Sequence, residues 1–327
     1  MLATYQRVSG GSALQPALAV LGTSAPQAVS PCTSQDEFTA TSPRVRTMTT
    51  TPPPARRRVL ITGATGYIAT QLLPALRERY ELTLVDVRDT DRDGRPVEGV
   101  QLLDLLDDPD GRFDQLCRGV DTVVHAGHLA SGDTPGYAAE RRNVDLAARV
   151  YEAAQAAGVR RVVVTSTNQA SKWYERPWRE GRVDRVGPED YPRPDTWYGW
   201  AKVAYESMGF LYATGQIGPV LENVQIRIVA PRPIRAEDFV GRPAGDFVRD
   251  LTGWVSPRDL QQLYVRSIEA ESVVDEHGVP FQVFYGVSGN ARTFWSTSNA
   301  RRVVGYAPQD DSEREFAEDI AQVLGRS

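Results

Sequence analysis

Arg58-Val-Leu-Ile-Thr-Gly63-Ala-Thr-Gly66-Tyr-Ile-Ala69 runs from a short apolar block through a loop marked by two glycines into helical spacing. The block Val59 to Thr62 has the length of a buried strand, and Tyr67 to Arg79 has the period of a helix. Each small residue has a physical task in such a strand–loop–helix unit. Gly63 permits the tight turn, and Gly66 lets backbone approach a pyrophosphate. Ala69, where glycine is commoner, still allows close helix–strand packing. The helix N-terminus then faces the phosphates. Thr65, Tyr67 and Ile68 complete the loop. Asp86 stands 20 residues after Gly66, at the end of the next apolar run, Glu81-Leu-Thr-Leu-Val-Asp86. A carboxylate there accepts both ribose hydroxyls of an adenosine and repels a 2′-phosphate, which favours NAD over NADP. Arg88 close by pulls the other way.

Outward from this unit, strands and helices alternate. Further strands are expected near Gln101–Leu103, at Thr122–His125, at Val162–Val164, in the run from Glu222 to Val229, and at Phe281–Tyr285. Long helices are expected at Ala138–Ala157, stopped by Gly158, and at Trp197–Thr214. Ser256-Pro257-Arg258-Asp259 has the form of a helix start. Shorter helices are expected near Thr297–Val304 and Ser312–Leu324. The strands are continuously apolar, which describes an α/β fold with a doubly wound parallel sheet covered on both faces. Residues 56–229 are expected to bind the dinucleotide and carry the catalytic groups. Residues 230–327 are expected to form a smaller substrate-binding part over the carboxyl edge of the sheet. Residues 1–55 are rich in Ser, Thr, Pro, Ala and Gln and lack an apolar period. They read as disordered, or as an extension ahead of a true start at Met48.

Two of the 37 basic residues are lysines, Lys172 and Lys202. Lys202 follows Tyr198 by four residues, so on a helix the phenol and ammonium share a face. A cation there is expected to lower the tyrosine pKa toward neutrality, as a general base requires. The strand before it ends in Thr165-Ser166-Thr167, whose hydroxyls are placed to bond a substrate oxygen beside the tyrosine.

Taken in order, these motifs resemble the extended short-chain dehydrogenase/reductase superfamily, the NAD-dependent epimerase/dehydratase family, from Arg56 to Ser327. The resemblance implies a Rossmann-type fold and Tyr198, Lys202, Thr167 and Ser166 as catalytic residues. It implies that Asp104 and Leu105 lie against the adenine, and that His125, Ala126 and Gly127 lie against the cofactor. Asn143 matches a position that steadies the site. Lys202 would also hold the nicotinamide ribose. Within the superfamily the chain is similar to uronate dehydrogenases. Thr165-Ser-Thr-Asn-Gln-Ala-Ser-Lys-Trp-Tyr-Glu175 resembles their Ser-Ser-Asn-His-type segment, which places Thr167 at the catalytic Ser/Thr. Asn168 and Arg249 fall at substrate-contacting positions, Arg249 on the carboxylate. Ser131 joins them in the expected substrate-binding set. Ala230, Arg232, Arg235, Gln169 and extra residues between Lys172 and Arg185 depart from that pattern. A homodimer through the two long helices is a further implication.

Composition sets limits. The chain has 327 residues, 24% charged, with a formal net charge of −5. Nothing in that balance favours nucleic acid. No apolar run is long enough to span a membrane. Two cysteines, Cys32 and Cys117, suit a reducing compartment, so a cytoplasmic location is expected. Three histidines, His125, His128 and His277, leave little for a metal site, and none is expected. The reaction expected is oxidation of a carbinol in a sugar acid or related polyol with NAD. An internal-redox epimerase or dehydratase acting on a nucleotide sugar, and a cofactor-sensing regulator, stand as alternatives.

Overall fold

The protein is described by a computed structural model covering residues 56–130 and 136–325. The expectations on residues 1–55 and on Ser131 lie outside the described residues. The strands are β1 (Arg58–Thr62), β2 (Glu81–Asp86), β3 (Val100–Leu102), β4 (Thr122–His125), β5 (Arg161–Thr167), β6 (Glu222–Ile228) and β7 (Phe281–Gly286). The helices are α1 (Tyr67–Arg79), α2 (Arg112–Cys117), α3 (Tyr137–Ala156), α4 (Glu175–Arg179), α5 (Trp197–Ala213), α6 (Ala244–Gly253), α7 (Pro257–Glu269), α8 (Ser298–Val304), α9 (Ser312–Glu315) and α10 (Ala317–Leu324). The strands pair in parallel in the order β3-β2-β1-β4-β5-β6-β7. This is a Rossmann-like α/β fold. The order reverses between β1 and β4, and a ligand crevice opens at such a point beyond the carboxyl ends of the strands.

Two apolar layers sandwich the sheet. On one face Leu72 and Leu76 of α1 pack with Leu260, Leu263 and Tyr264 of α7. On the other, Leu146 and Val150 of α3 pack with Ala201 and Tyr205 of α5. β7 extends the same sheet beyond β6. A third cluster gathers Ile234, Phe239, Phe247, Leu251, Trp254 and Phe316.

Local signals act as physics requires. Ser256 caps α7, its hydroxyl accepting from Asp259 N at 3.1 Å. Gly158 has φ +70° just past the end of α3. The expected single helix over Ser312–Leu324 is two, α9 and α10. Phe316 breaks it at φ −112°, ψ 32°, and its ring meets Trp254 edge-on at 5.0 Å. Burial of that ring outweighs helical continuity.

Candidate active site

The loop after β1 meets the loop after β4 so closely that only glycine fits. Gly63 has φ +67°, and a Cβ there would stand 2.5 Å from Gly127 Cα. Gly66 N donates to Gly63 O at 3.0 Å, and α1 begins at Tyr67 with no side-chain cap on its first turn. Beyond the loop lies a groove of about 460 Å³. Gly63, Gly66, Tyr67, Ile68, Asp86, Asp104, Leu105, Ala126, Gly127 and Lys202 line it, with Arg88, Leu103 and Tyr198. Asp86 sits at its rim with a fixed carboxylate. Oδ2 accepts from Thr65 N at 2.9 Å and Thr65 Oγ1 at 2.8 Å, and Oδ1 accepts from Val87 N at 2.7 Å.

Three members of the expected cofactor set do not line the groove. Thr65 is fully buried and holds Asp86. His125 is buried under the sheet edge, 2.7 Å from Thr62 Oγ1 through Nδ1. Burial first, then the charge of Lys202, pushes its pKa down to about 3, which favours the neutral ring. Asn143 clamps a neighbouring loop. Its Oδ1 accepts from Leu129 N at 2.7 Å and its Nδ2 donates to Leu129 O at 3.0 Å. Leu129, in turn, lines the groove.

A second cavity of about 270 Å³ adjoins the groove, sharing Ile68, Thr165 and Tyr198 with it. Its walls include Thr167, Asn168, Gln169, Ala230, Arg232 and Arg249. Tyr198 and Lys202 project from successive turns of α5, which Thr196 caps by accepting from Gly199 N at 3.0 Å. Lys202 Nζ stands 5.7 Å from the centroid of the Tyr198 ring and donates to Thr165 O at 2.9 Å. The electrostatics differ from the sequence expectation. Burial raises the Tyr198 pKa, and a hydrogen bond with Thr167 draws it part of the way back. Burial also pushes Lys202 down to about 7, against the pull of Glu140 and Glu206. In a site this dry both groups favour their neutral forms.

Ser166 also lines the second cavity, and its hydroxyl donates to Glu206 Oε1 at 2.7 Å. Glu206 also forms a buried pair with Arg227, with Nε–Oε1 at 2.9 Å and Nη2–Oε2 at 2.7 Å. Sequence reasoning missed both. The signal was a charge at position 227 between Ile226 and Ile228 in a strand packed on both sides.

Arg249 lies in the cavity wall with its guanidinium engaged. Nη2 donates to Glu175 Oε1 at 2.7 Å and Nε to Oε2 at 3.1 Å, while Nη1 donates to Asp250 Oδ1 at 2.7 Å. Burial works against its charge, yet these bonds prevail and raise its pKa. Asn168 Nδ2 also reaches Glu175 Oε1, at 3.4 Å. Glu175 was not singled out in the sequence. Among the described residues no cluster of three or more His, Cys, Asp or Glu suits a metal ion, and no helix is long and apolar enough to cross a membrane.

Residues 59–226 match the family model described as the NAD dependent epimerase/dehydratase family. The chain belongs to that family. This family member is 32% identical to a uronate dehydrogenase of Pseudomonas putida, over 81% of this chain and 88% of the relative. It is 29% identical to an NAD-dependent glucose-6-phosphate dehydrogenase of Haloferax volcanii, over 78% of this chain and 94% of the relative. Its fold matches the crystal structure of uronate dehydrogenase from Agrobacterium tumefaciens with a TM-score of 0.62 and 26% identity, over 82% of this chain and 89% of that one. The chain is an NAD-dependent enzyme. The groove fits that cofactor on its own chemistry: an uncapped helix N-terminus beside a close-packed glycine loop suits a pyrophosphate, and a fixed carboxylate at the rim suits a ribose diol.

Proposed function

We propose that the chain oxidises a carbinol carbon of a sugar-type substrate with NAD, and that Tyr198 takes the hydroxyl proton. The observation that carries this reading is the place of Tyr198 at the junction of the two cavities, with Thr167 in the wall of the smaller one. Bound NAD supplies the acceptor for the hydride that leaves the carbon. The glycine loop and the first turn of α1 would hold its pyrophosphate, Asp86 its adenosine ribose, and Lys202 its nicotinamide ribose. Thr167 orients the substrate oxygen toward the phenol. Tyr198 accepts the proton as the carbonyl forms, so the substrate loses one hydride and one proton. Lys202 stands near enough to favour the phenolate once protonated, and the cofactor's charges bear on that equilibrium.

The 270 Å³ cavity lies below the range of roughly 300–1,000 Å³ usual for larger small-molecule ligands. That size favours a single sugar ring over a nucleotide sugar. NADH formation across a panel of aldoses, uronates, sugar phosphates and nucleotide sugars tests the reading. Tyr198→Phe is expected to cut turnover by about 10²–10⁴-fold while NAD binding, followed by fluorescence, is retained. NAD that stays bound through purification, with isomerised sugar and no net NADH, would mark the internal-redox alternative instead.

A homodimer through α3 and α5 is part of the same proposal. The two helices pack on each other and leave Tyr137, Trp197, Phe210 and Leu211 exposed along them. Sedimentation equilibrium is expected to give twice the chain mass, and the mass of a single chain would refute it.

A further inference from the structure

Arg249 and Asn168 are the wall residues suited to a substrate carboxylate, and both are turned to one carboxylate of the chain itself. Glu175 sits on α4, inside the segment 172–185, with its side chain 12% exposed. It meets the Arg249 guanidinium fork to fork through Nε and Nη2 and takes the amide of Asn168 on Oε1. Asp250 takes the third nitrogen of Arg249, and its other oxygen accepts from Arg232 Nη2 at 2.8 Å. Glu175, Arg249, Asp250 and Arg232 therefore form one chain of alternating charge, two of each sign.

We propose that Glu175, standing behind the cavity wall, holds and neutralises the wall cation Arg249, so that the site selects a neutral aldose over the corresponding uronate or sugar phosphate. The inference rests on the reading of this cavity as a sugar site. A carboxylate arriving at Arg249 finds its Nε–Nη2 edge taken and its charge already offset by Glu175 and Asp250. A hydroxyl needs no net positive charge. It accepts from a remaining Arg249 N–H or from Asn168 in the wall. The segment that brings in Glu175 thereby acts on specificity without touching the proton-transfer residues.

The test uses the full chain with NAD, and glucose, glucuronate and glucose 6-phosphate as probes. Wild type is expected to give a kcat/KM for glucose at least about tenfold above that for either anion. Glu175→Ala, with Glu175→Gln as the shape-preserving companion, frees the Arg249 fork. Glucuronate affinity, measured by calorimetry with NAD present, is expected to rise about tenfold in both. Circular dichroism melts verify that each variant folds. A wild type that prefers glucuronate or glucose 6-phosphate overturns the proposal, as does unchanged glucuronate affinity in both variants. Failure of every sugar to yield NADH would instead strike the oxidoreductase reading, and the calorimetric comparison still decides the role of Glu175.

Discussion

Lys202 carries a charge that its surroundings resist. It is 3% exposed, and burial holds its pKa to about 7, against about 10.4 in an unfolded chain. Below pH 7 the folded chain keeps a buried ammonium, and the full stability penalty applies. Between pH 7 and 10.4 the unfolded chain binds more protons than the folded one, so the penalty falls by roughly 1 kcal/mol per pH unit. Lys202→Met is therefore expected to stabilise the cofactor-free chain, more at pH 6 than at pH 9.5. Urea titrations at the two pH values measure the difference. The same substitution is expected to abolish turnover. The residue kept at the centre of the site is thus one that weakens the fold, and the scarcity of lysine elsewhere had already set it apart.

Between elements, α5 and β6 are joined by charge as well as by apolar contact. Arg227 is 1% exposed and Glu206 7%, and Arg227 Nη1 reaches Tyr285 Oη on β7 at 2.9 Å. Removing one partner of such a pair leaves a bare buried charge. Arg227→Met is expected to cost about 3–5 kcal/mol in urea unfolding. The double variant Glu206→Gln/Arg227→Met is expected to recover most of that loss, because no uncompensated charge remains. A double variant as unstable as the sum of the single ones would show that packing, not charge pairing, sets the cost. The pair also takes the proton of the Ser166 hydroxyl, on Glu206 Oε1.

Across the whole molecule, what the sequence disclosed depended on the range of the interaction. The glycine loop was legible because strand, turn and helix lie within a dozen residues. The parallel sheet was legible because Val59 to Ile61, Val123 to Val124 and Val162 to Val164 are continuous apolar runs, and all are fully buried. Arg249 was legible as a residue type in a place. Its engagement by Glu175 was not, since 74 residues separate the two and no local pattern links α4 to α6. The break at Phe316 was hidden for the same reason: Trp254 supplies the contact that ends the helix, from far upstream. The neighbouring charge of Lys202 was legible four residues from Tyr198, whereas the burial that raises the Tyr198 pKa depends on the fold around it.

That break gives the last helix an office beyond closing the chain. None of the residues of α10 is fully buried, yet Ile320 and Val323 rest on the cluster of Ile234, Phe239, Phe247, Leu251 and Trp254. Asp319 Oδ1 accepts from Ala236 N at 2.7 Å. These contacts brace the two stretches that carry Arg232 and Arg249 into the substrate cavity. A tolerance map drawn from burial alone would score α10 as a forgiving tail. On the proposed reading its substitutions are expected to weaken sugar binding and to leave NAD binding unchanged.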